Sequence, residues 1–287
     1  MHKVGVIGLG FVGTAISAGL DAILKDLVDV REYDKFKDTE SLNTVVNRSD
    51  ILFLALPTPM LEDGACDTSI VESVVQEIDE ISKKPKAIIV KSTVPPGTTQ
   101  KFQDRYPRHT FVFSPEFLTE KRFIEDFLEQ DRIVLGETTN IGLIREVKNL
   151  FFDFVDRQKF PASIVHVTSQ EAEMLKYATN CFLATKISFC NEIYQICKAT
   201  KIDYGAIVGL LGLDKRVGVS HMKVPNNGAL GFGGACFPKD LNALIAFAKQ
   251  NNVDPLVLES VWTKNLMVRE NYDWEKLAQV NGKYEKK

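Results

Sequence analysis

Short apolar runs recur along the first half of the chain, each ending in a polar or glycine-rich loop before apolar residues return at helical spacing. Residues 4–7 end in Gly8, and residues 14–24 then follow a helical pattern, which reads as strand, tight glycine turn and helix. Residues 28–33 form a second strand pattern ending in Asp34. The run 51–56 closes at Pro57-Thr58-Pro59, 87–90 leads into Lys91-Ser92-Thr93, and 110–113 leads into Ser114-Pro115-Glu116. Between them, residues 69–82 place Ile70, Val74, Val75 and Ile78 on one helix face. This alternation predicts an α/β fold, a parallel sheet with helices on both sides, binding ligands at the carboxyl ends of its strands.

The pattern changes at Thr168. Thr168-Ser169-Gln170-Glu171 reads as a capping box, and neither Gly nor Pro interrupts the chain from there to Tyr204, so a long helix is expected over about 169–200. At 1.5 Å per residue it spans roughly 45 Å. Residues 204–211, 239–250 and 255–268 are further helix patterns, no strand pattern follows Val167, and the polar tail 282–287 is expected to fray. The predicted organisation is an α/β domain over 1–168, a connecting helix over 169–200 and an all-helical domain over 201–287. The long helix carries Phe182, Ile187, Ile193, Tyr194 and Ile196, more apolar surface than the small helical part can cover, so a homodimer is expected.

Composition narrows the function classes. The 287 residues hold 35 Lys+Arg against 38 Asp+Glu, a formal charge of -3, with no basic run, so no nucleic-acid partner is expected. Residues 4–20 lack charge, but Gly5, Gly8, Gly10, Gly13 and Gly19 within them argue against a signal peptide or a membrane span of about 20 apolar residues. Cys66, Cys181, Cys190, Cys197 and Cys236 form no CxxC pair and fit reduced thiols in a cytoplasmic enzyme. The four histidines, His2, His109, His166 and His221, form no cluster with carboxylate or thiol spacing, so no metal is assigned.

Two segments carry chemistry. Gly8-Leu9-Gly10-Phe11-Val12-Gly13 matches G-x-G-x-x-G between a strand and a helix, and Asp34 ends the next strand, where a carboxylate can accept from a ribose 2′-hydroxyl and repel a 2′-phosphate. NAD is therefore expected over NADP despite Lys35 and Lys37. The second segment, Gly231 to Asp240, is a glycine-rich loop feeding a helix that begins near Pro238. A thiol just before a helix N-terminus, with Lys239 close by, has its thiolate stabilised, so Cys236 is the expected nucleophile. Cys181, Cys190 and Cys197 lie on the apolar long helix and read as packing residues.

Together GVIGLGFVG, LPTP, KSTVPPGTT, SPEFLTE with EQDRIVLG, AEMLKYATNCFLA, LDKRVG and GFGGACFPKD resemble, in order, the UDP-glucose/GDP-mannose dehydrogenase family, from Val4 to about Asn265. The resemblance implies an NAD-binding Rossmann domain, a helical dimerisation domain, and oxidation of the C6 hydroxymethyl of a nucleotide sugar, UDP-glucose above all, in two hydride transfers. It implies Cys236 as nucleophile, Lys176 and Asn180 as the pair steadying an oxyanion, Asp240 as a carboxylate positioning water, and Thr93, Glu116 and Glu120 as further catalytic positions, with Glu116 the better base. Gly8, Gly10, Phe11, Val12, Gly13, Asp34, Lys35, Pro57, Thr58 and Thr93 are expected at the cofactor. Glu116, Phe117, Leu118, Lys176, Asn180, Arg216 and Gly233 are expected at the substrate, with Arg216 reaching the partner subunit's site. Full-length members continue into a third, nucleotide-gripping domain, and the residues after 268 are too few for a βαβ unit of about 30. That domain is expected to be absent, leaving the nucleotide to the sugar pocket, a dimer partner or a separate nucleotide-binding protein. Two other readings stay open: a single-step β-hydroxyacid dehydrogenase, which has no use for Cys236, and a non-catalytic NAD-binding dimer.

Overall fold

The computed structural model describes residues 1–226, 228–277 and 280. The tail expected to fray, residues 282–287, lies outside the described residues. The chain divides into two compact units, one made of Met1–Thr58 with 67–176, the other of Pro59–Cys66 with the described residues from Tyr177 onward.

The first unit alternates strand and helix as β1 (His2–Ile7), α1 (Phe11–Leu24), β2 (Val28–Tyr33), α2 (Leu42–Arg48), β3 (Ile51–Leu54), α3 (Ser69–Ile81), β4 (Ala87–Val90), α4 (Thr98–Arg105), β5 (Thr110–Phe113), α5 (Phe123–Leu128), β6 (Arg132–Glu137), α6 (Ile144–Arg157) and β7 (Ser163–Thr168). The seven strands lie in the order β2-β1-β3-β4-β5-β6-β7. β3, β4 and β5 are buried at every position, which is why they read as unbroken apolar runs. Alternate residues feed two cores: Ile51, Phe53 and Ile89 pack with α1, α5 and α6, while Leu52, Leu54 and Ile88 pack with α2, α3 and α4.

Two expectations need correcting. The sheet is not parallel throughout, because β6 runs antiparallel to β5, pairing Val112 with Glu137 and Phe113 with Gly136. The connection between them, residues 114–131, carries the six-residue α5. In α3 the buried stripe is Val71, Val75 and Ile78, with Ile70 and Val74 only half-buried. The stripe follows i, i+4, i+7 from Val71, one position on from the expected start.

The capping box forms as expected: the Thr168 N–H donates to Glu171 Oε2 at 2.8 Å, and the Glu171 N–H donates to Thr168 Oγ1 at 3.3 Å. It starts α7 (Ser169–Thr200), the 32-residue helix the pattern predicted. The second unit adds α8 (Tyr204–Leu211), α9 (Phe237–Gln250) and α10 (Leu256–Val268). Cys181 packs with Phe232, Leu241 and Val261, and Cys190 and Cys197 pack with Tyr204 and Met222, so these three thiols are core residues. Burial also pushes the Cys181 thiol well up, leaving it protonated and unreactive.

Candidate functional site

In the first unit the glycine turn answers three separate steric demands. Gly8 has φ +90°, and a Cβ there would lie 2.5 Å from the Ala55 carbonyl oxygen. At Gly13 a Cβ would lie 1.8 Å from the Gly8 carbonyl oxygen, so helix and strand could not approach. Gly10 differs: a Cβ there meets nothing within 4 Å, and the space beside the backbone is open. Gly10 also caps α1 without a side-chain bond, and the first turn holds no acidic residue. The leading N–H groups of a 14-residue helix thus face an open cradle, a setting that suits a pyrophosphate. Phe11 and Val12 supply those N–H groups, with the exposed Phe11 ring 5.5 Å from Phe123.

Asp34 stands at the end of β2 and does more than the sequence suggested. Its Oδ2 accepts from the Leu9 N–H at 2.8 Å and its Oδ1 from the Phe36 N–H at 2.9 Å, so the carboxylate also shapes the glycine turn. Lys37 donates to the Leu9 carbonyl at 2.6 Å, whereas Lys35 is exposed. Thr58 is buried and Pro57 half-buried after β3, and the half-buried Thr93 follows β4. The strand order switches direction between β1 and β3, so the glycine turn and the Pro57-Thr58 loop flank that point and Thr93 lies one strand further out. The residues present therefore fit NAD: an open glycine cradle, uncapped N–H groups, and a carboxylate with lone pairs left for ribose hydroxyls.

Beyond the cradle, the first unit holds a buried ion pair. Lys176 on α7 donates to Glu116 Oε1 at 2.8 Å and to the Glu116 carbonyl at 2.6 Å, while Glu116 Oε2 accepts from the Leu118 N–H at 2.7 Å. The Phe117 ring lies 5.7 Å from the Lys176 ammonium and 4.5 Å from the Arg132 guanidinium. Lys91, which sequence reasoning passed over, donates to Ser114 Oγ at 3.1 Å and to the Pro115 carbonyl at 3.5 Å, just before Glu116. Burial, helped by the Lys176 charge and opposed by Glu116, lowers Lys91 to about 8. Glu120 is exposed and is not drawn into this network.

In the second unit Cys236 caps α9 and is exposed, and its carbonyl accepts from the Asp240 N–H at 2.9 Å. Lys239, one turn in, is buried and donates to Asp240 Oδ1 at 2.5 Å. Burial alone would lower this lysine; the charges of Asp240 and of the Cys66 and Cys236 thiols outweigh it and hold Lys239 above the usual ammonium range. Cys236 thus stands at the N-terminus of α9, with the buried Lys239 ammonium in the first turn behind it. Asn180 donates to Asp240 Oδ2 at 2.6 Å, so Asp240 links the α7 amide to the buried ammonium.

The glycine-rich loop before Cys236 is fastened by side chains that sequence reasoning missed. Asn191 accepts from the Gly231 N–H at 3.0 Å, Asn265 accepts from the Phe232 N–H at 2.7 Å and donates to its carbonyl at 3.0 Å, and Asp273 accepts from the Gly234 N–H at 3.3 Å. A Cβ on Gly233 would come 2.2 Å from Asp273 Oδ1, and one on Gly231, at φ +68°, would come 2.3 Å from Asn265 Oδ1. The only prior signal was an asparagine on a mostly apolar helix. Arg216 sits apart on an exposed turn, paired with Asp214 at 2.6 Å. Among the described residues no group of three or more His, Cys, Asp or Glu is arranged to hold a metal, and no helix is long and apolar enough to cross a membrane.

Known proteins match both units. Residues 18–155 match the UDP-glucose/GDP-mannose dehydrogenase family's NAD binding domain, and residues 170–266 match its central domain. The chain is 31% identical to the putative UDP-glucose 6-dehydrogenase YtcA of Bacillus subtilis, covering 90% of this chain and 66% of that one. It is likewise 31% identical to the UDP-glucose 6-dehydrogenase AglM of Haloferax volcanii, covering 90% and 68%. A solved UDP-glucose dehydrogenase from Pyrobaculum islandicum superposes with TM-score 0.80 at 29% identity, over 93% of this chain and 68% of that one. A 3-hydroxyisobutyrate dehydrogenase from Mycobacterium tuberculosis shares the fold at TM-score 0.71 and 14% identity. The chain thus spans about two thirds of the length of these UDP-glucose dehydrogenases. With NAD as its cofactor, it belongs to the UDP-glucose/GDP-mannose dehydrogenase family.

Proposed function

We propose that this protein oxidises the C6 hydroxymethyl of a nucleotide sugar, UDP-glucose to UDP-glucuronate, through a covalent adduct on Cys236. NAD bound at the glycine cradle supplies the hydride acceptor for each oxidation. The protein's own groups do the rest. Cys236 thiolate adds to the C6 aldehyde left by the first oxidation and forms a thiohemiacetal, which retains the aldehyde; loss of the second hydride gives a thioester, which water cleaves to carboxylate and thiol. Asn180, held by Asp240, and the Lys176 ammonium are suited to steady the oxyanion. Asp240 is fully buried with one oxygen on Lys239 and the other on Asn180, so we assign it to orienting Asn180 and neutralising Lys239. Glu116 keeps lone pairs beyond its bonds to Lys176 and Leu118 and serves as the base for the hydrolytic water; Glu120 on the same loop ranks second. Phe117, Leu118 and Gly233 line the sugar, and Arg216 is assigned to a partner subunit's substrate. We place the enzyme in the cytoplasm as a homodimer, with the nucleotide held by the dimer or by a separate nucleotide-binding protein.

Cys236 carries this reading, because a solvent-facing thiol opening a helix beside a buried ammonium is poised to attack, and a single hydride transfer needs no thiol. The test is to count NADH released per substrate consumed with UDP-glucose, GDP-mannose, UDP-N-acetyl sugars and small hydroxyacids. Two per sugar supports the proposal, one per hydroxyacid selects the β-hydroxyacid reading, and none with any substrate leaves an NAD-binding dimer. Cys236→Ser should keep NAD affinity and lose the second oxidation; two NADH per sugar at an undiminished rate would refute the covalent route.

A further inference from the structure

Glu173 lies on the second turn of α7 with no solvent exposure, and its carboxylate accepts from the N-terminal end of α4, at Gly97 and Thr99. Its Oε2 accepts from the Gly97 N–H at 2.5 Å, and its Oε1 accepts from the Thr99 N–H at 2.8 Å and the Thr99 hydroxyl at 2.6 Å. A side chain on α7 thereby satisfies the start of α4, whose own cap, Gly97, has no side chain to offer. A carboxyl is a costly choice for this position: burial raises it to about 7 although the bonds from Thr99 and Gly97 and the charge of Lys101 favour its ionised form.

The neighbouring contacts show what the cap accomplishes. Lys176, three residues on, grips Glu116 in the loop after β5. Glu173 grips the loop after β4, residues 91–97. The other end of that loop is pinned to β3, where Ser92 Oγ accepts from the Leu56 N–H at 2.8 Å and donates to the Leu54 carbonyl at 3.3 Å. Lys91 then spans from the end of β4 to Ser114 and Pro115. The contacts close into a ring: Glu173, the Gly97 loop, Lys91, the Ser114-Pro115-Glu116 turn, Lys176 and back along α7.

We propose that Glu173 is a positioning residue, which by bracing the loop after β4 from the same helix that carries Lys176 fixes Thr93 and Glu116 relative to the Lys176 ammonium. This rests on the dehydrogenase reading above for the reaction it serves. Glu173→Gln keeps the size but turns an amide N–H toward a backbone N–H, so one of the two backbone anchors must open.

The experiment compares wild type, Glu173→Gln and Thr99→Val in sugar-dependent NADH release and in deuterium uptake of the whole chain. For Glu173→Gln, kcat should fall at least about tenfold, with KM for NAD and sugar within about threefold, and uptake should rise in both 91–99 and 114–118. Thr99→Val, which removes one hydroxyl bond, should show a smaller change of the same kind and serves should Glu173→Gln fail to fold. Lower thermal stability with unchanged kcat, or uptake unchanged in 114–118, would overturn the proposal. If wild type oxidises no nucleotide sugar, the dehydrogenase reading fails by itself, and deuterium uptake still decides whether Glu173 braces both loops.

Discussion

Replacing Asp240 by asparagine should cost a large share of the protein's stability before any question of chemistry arises. Both oxygens are engaged, one by Lys239 and one by Asn180, and both charged side chains are buried, at 9% and 2% exposure. Asparagine can still accept from Asn180, but it leaves the Lys239 ammonium in a dry environment without its counter-charge. Removing one partner of such a pair typically costs about 3–5 kcal/mol, against a total domain stability of about 5–15 kcal/mol. The clean comparison is a cycle of Asp240→Asn, Lys239→Met and the double variant, measured by urea unfolding at pH 7.5 without ligand. The double variant should recover most of the loss, because an apolar stem replaces the stranded ammonium. A loss below about 1 kcal/mol for Asp240→Asn, or a double variant no more stable than the single, would show that the pair does not bear the strain assigned to it. Activity lost in Asp240→Asn must accordingly be read against its folded fraction.

Three further outcomes can be checked. His109 is fully buried, accepts from the Lys86 N–H through Nδ1 at 2.9 Å, and is lowered to about 4 by burial and the nearby Arg108 charge. Its neutral form therefore favours folding above pH 6.5, and that contribution, about 3 kcal/mol, is lost as pH falls from 6.5 toward 4; acid titration of His109→Gln with the same slope as wild type would refute it. Asp34→Ala should weaken NAD by about 1–3 kcal/mol and erase the preference over NADP in calorimetry, whereas unchanged discrimination would remove Asp34 from that role. Phe182, Phe189 and Ile196 are exposed at 69%, 57% and 51% and recur every seventh residue on α7, so light scattering at micromolar concentration should report a dimer that Phe189→Glu dissociates. A 32.2 kDa monomer in wild type would refute the dimer.

What could be read from the chain beforehand follows from how local each signal is. The central strands were legible because burial on both faces forces unbroken apolar runs, and α7 because its capping box lies within four consecutive residues. Strand direction was not, since a period of two is the same in either sense and the reversal of β6 shows only in its pairing with β5. Glu171 and Glu173 show the limit most plainly. Two residues apart on one helix, they look alike in sequence, yet the first caps its own helix at the surface and the second caps another helix 76 residues away along the chain. Cys236 was singled out by its glycines, whereas Asn191, Asn265 and Asp273, which hold those glycines, carry no local mark because their partners are backbone atoms of a distant loop.

Those backbone anchors also set a time at which the thiol acquires its character. The loop from Gly231 to Gly234 takes its shape from α7, α10 and the segment after α10, and the helix N-terminus and buried ammonium beside Cys236 exist only once α9 has docked. A chain emerging during synthesis therefore carries an ordinary cysteine, and the surroundings that the proposed mechanism asks of Cys236 are assembled last, after the distant segments that anchor its loop have been made. Electrophiles met during synthesis find a thiol no more reactive than any other in the unfolded chain, and on the proposed mechanism the hazard of a reactive cysteine is confined to the folded protein.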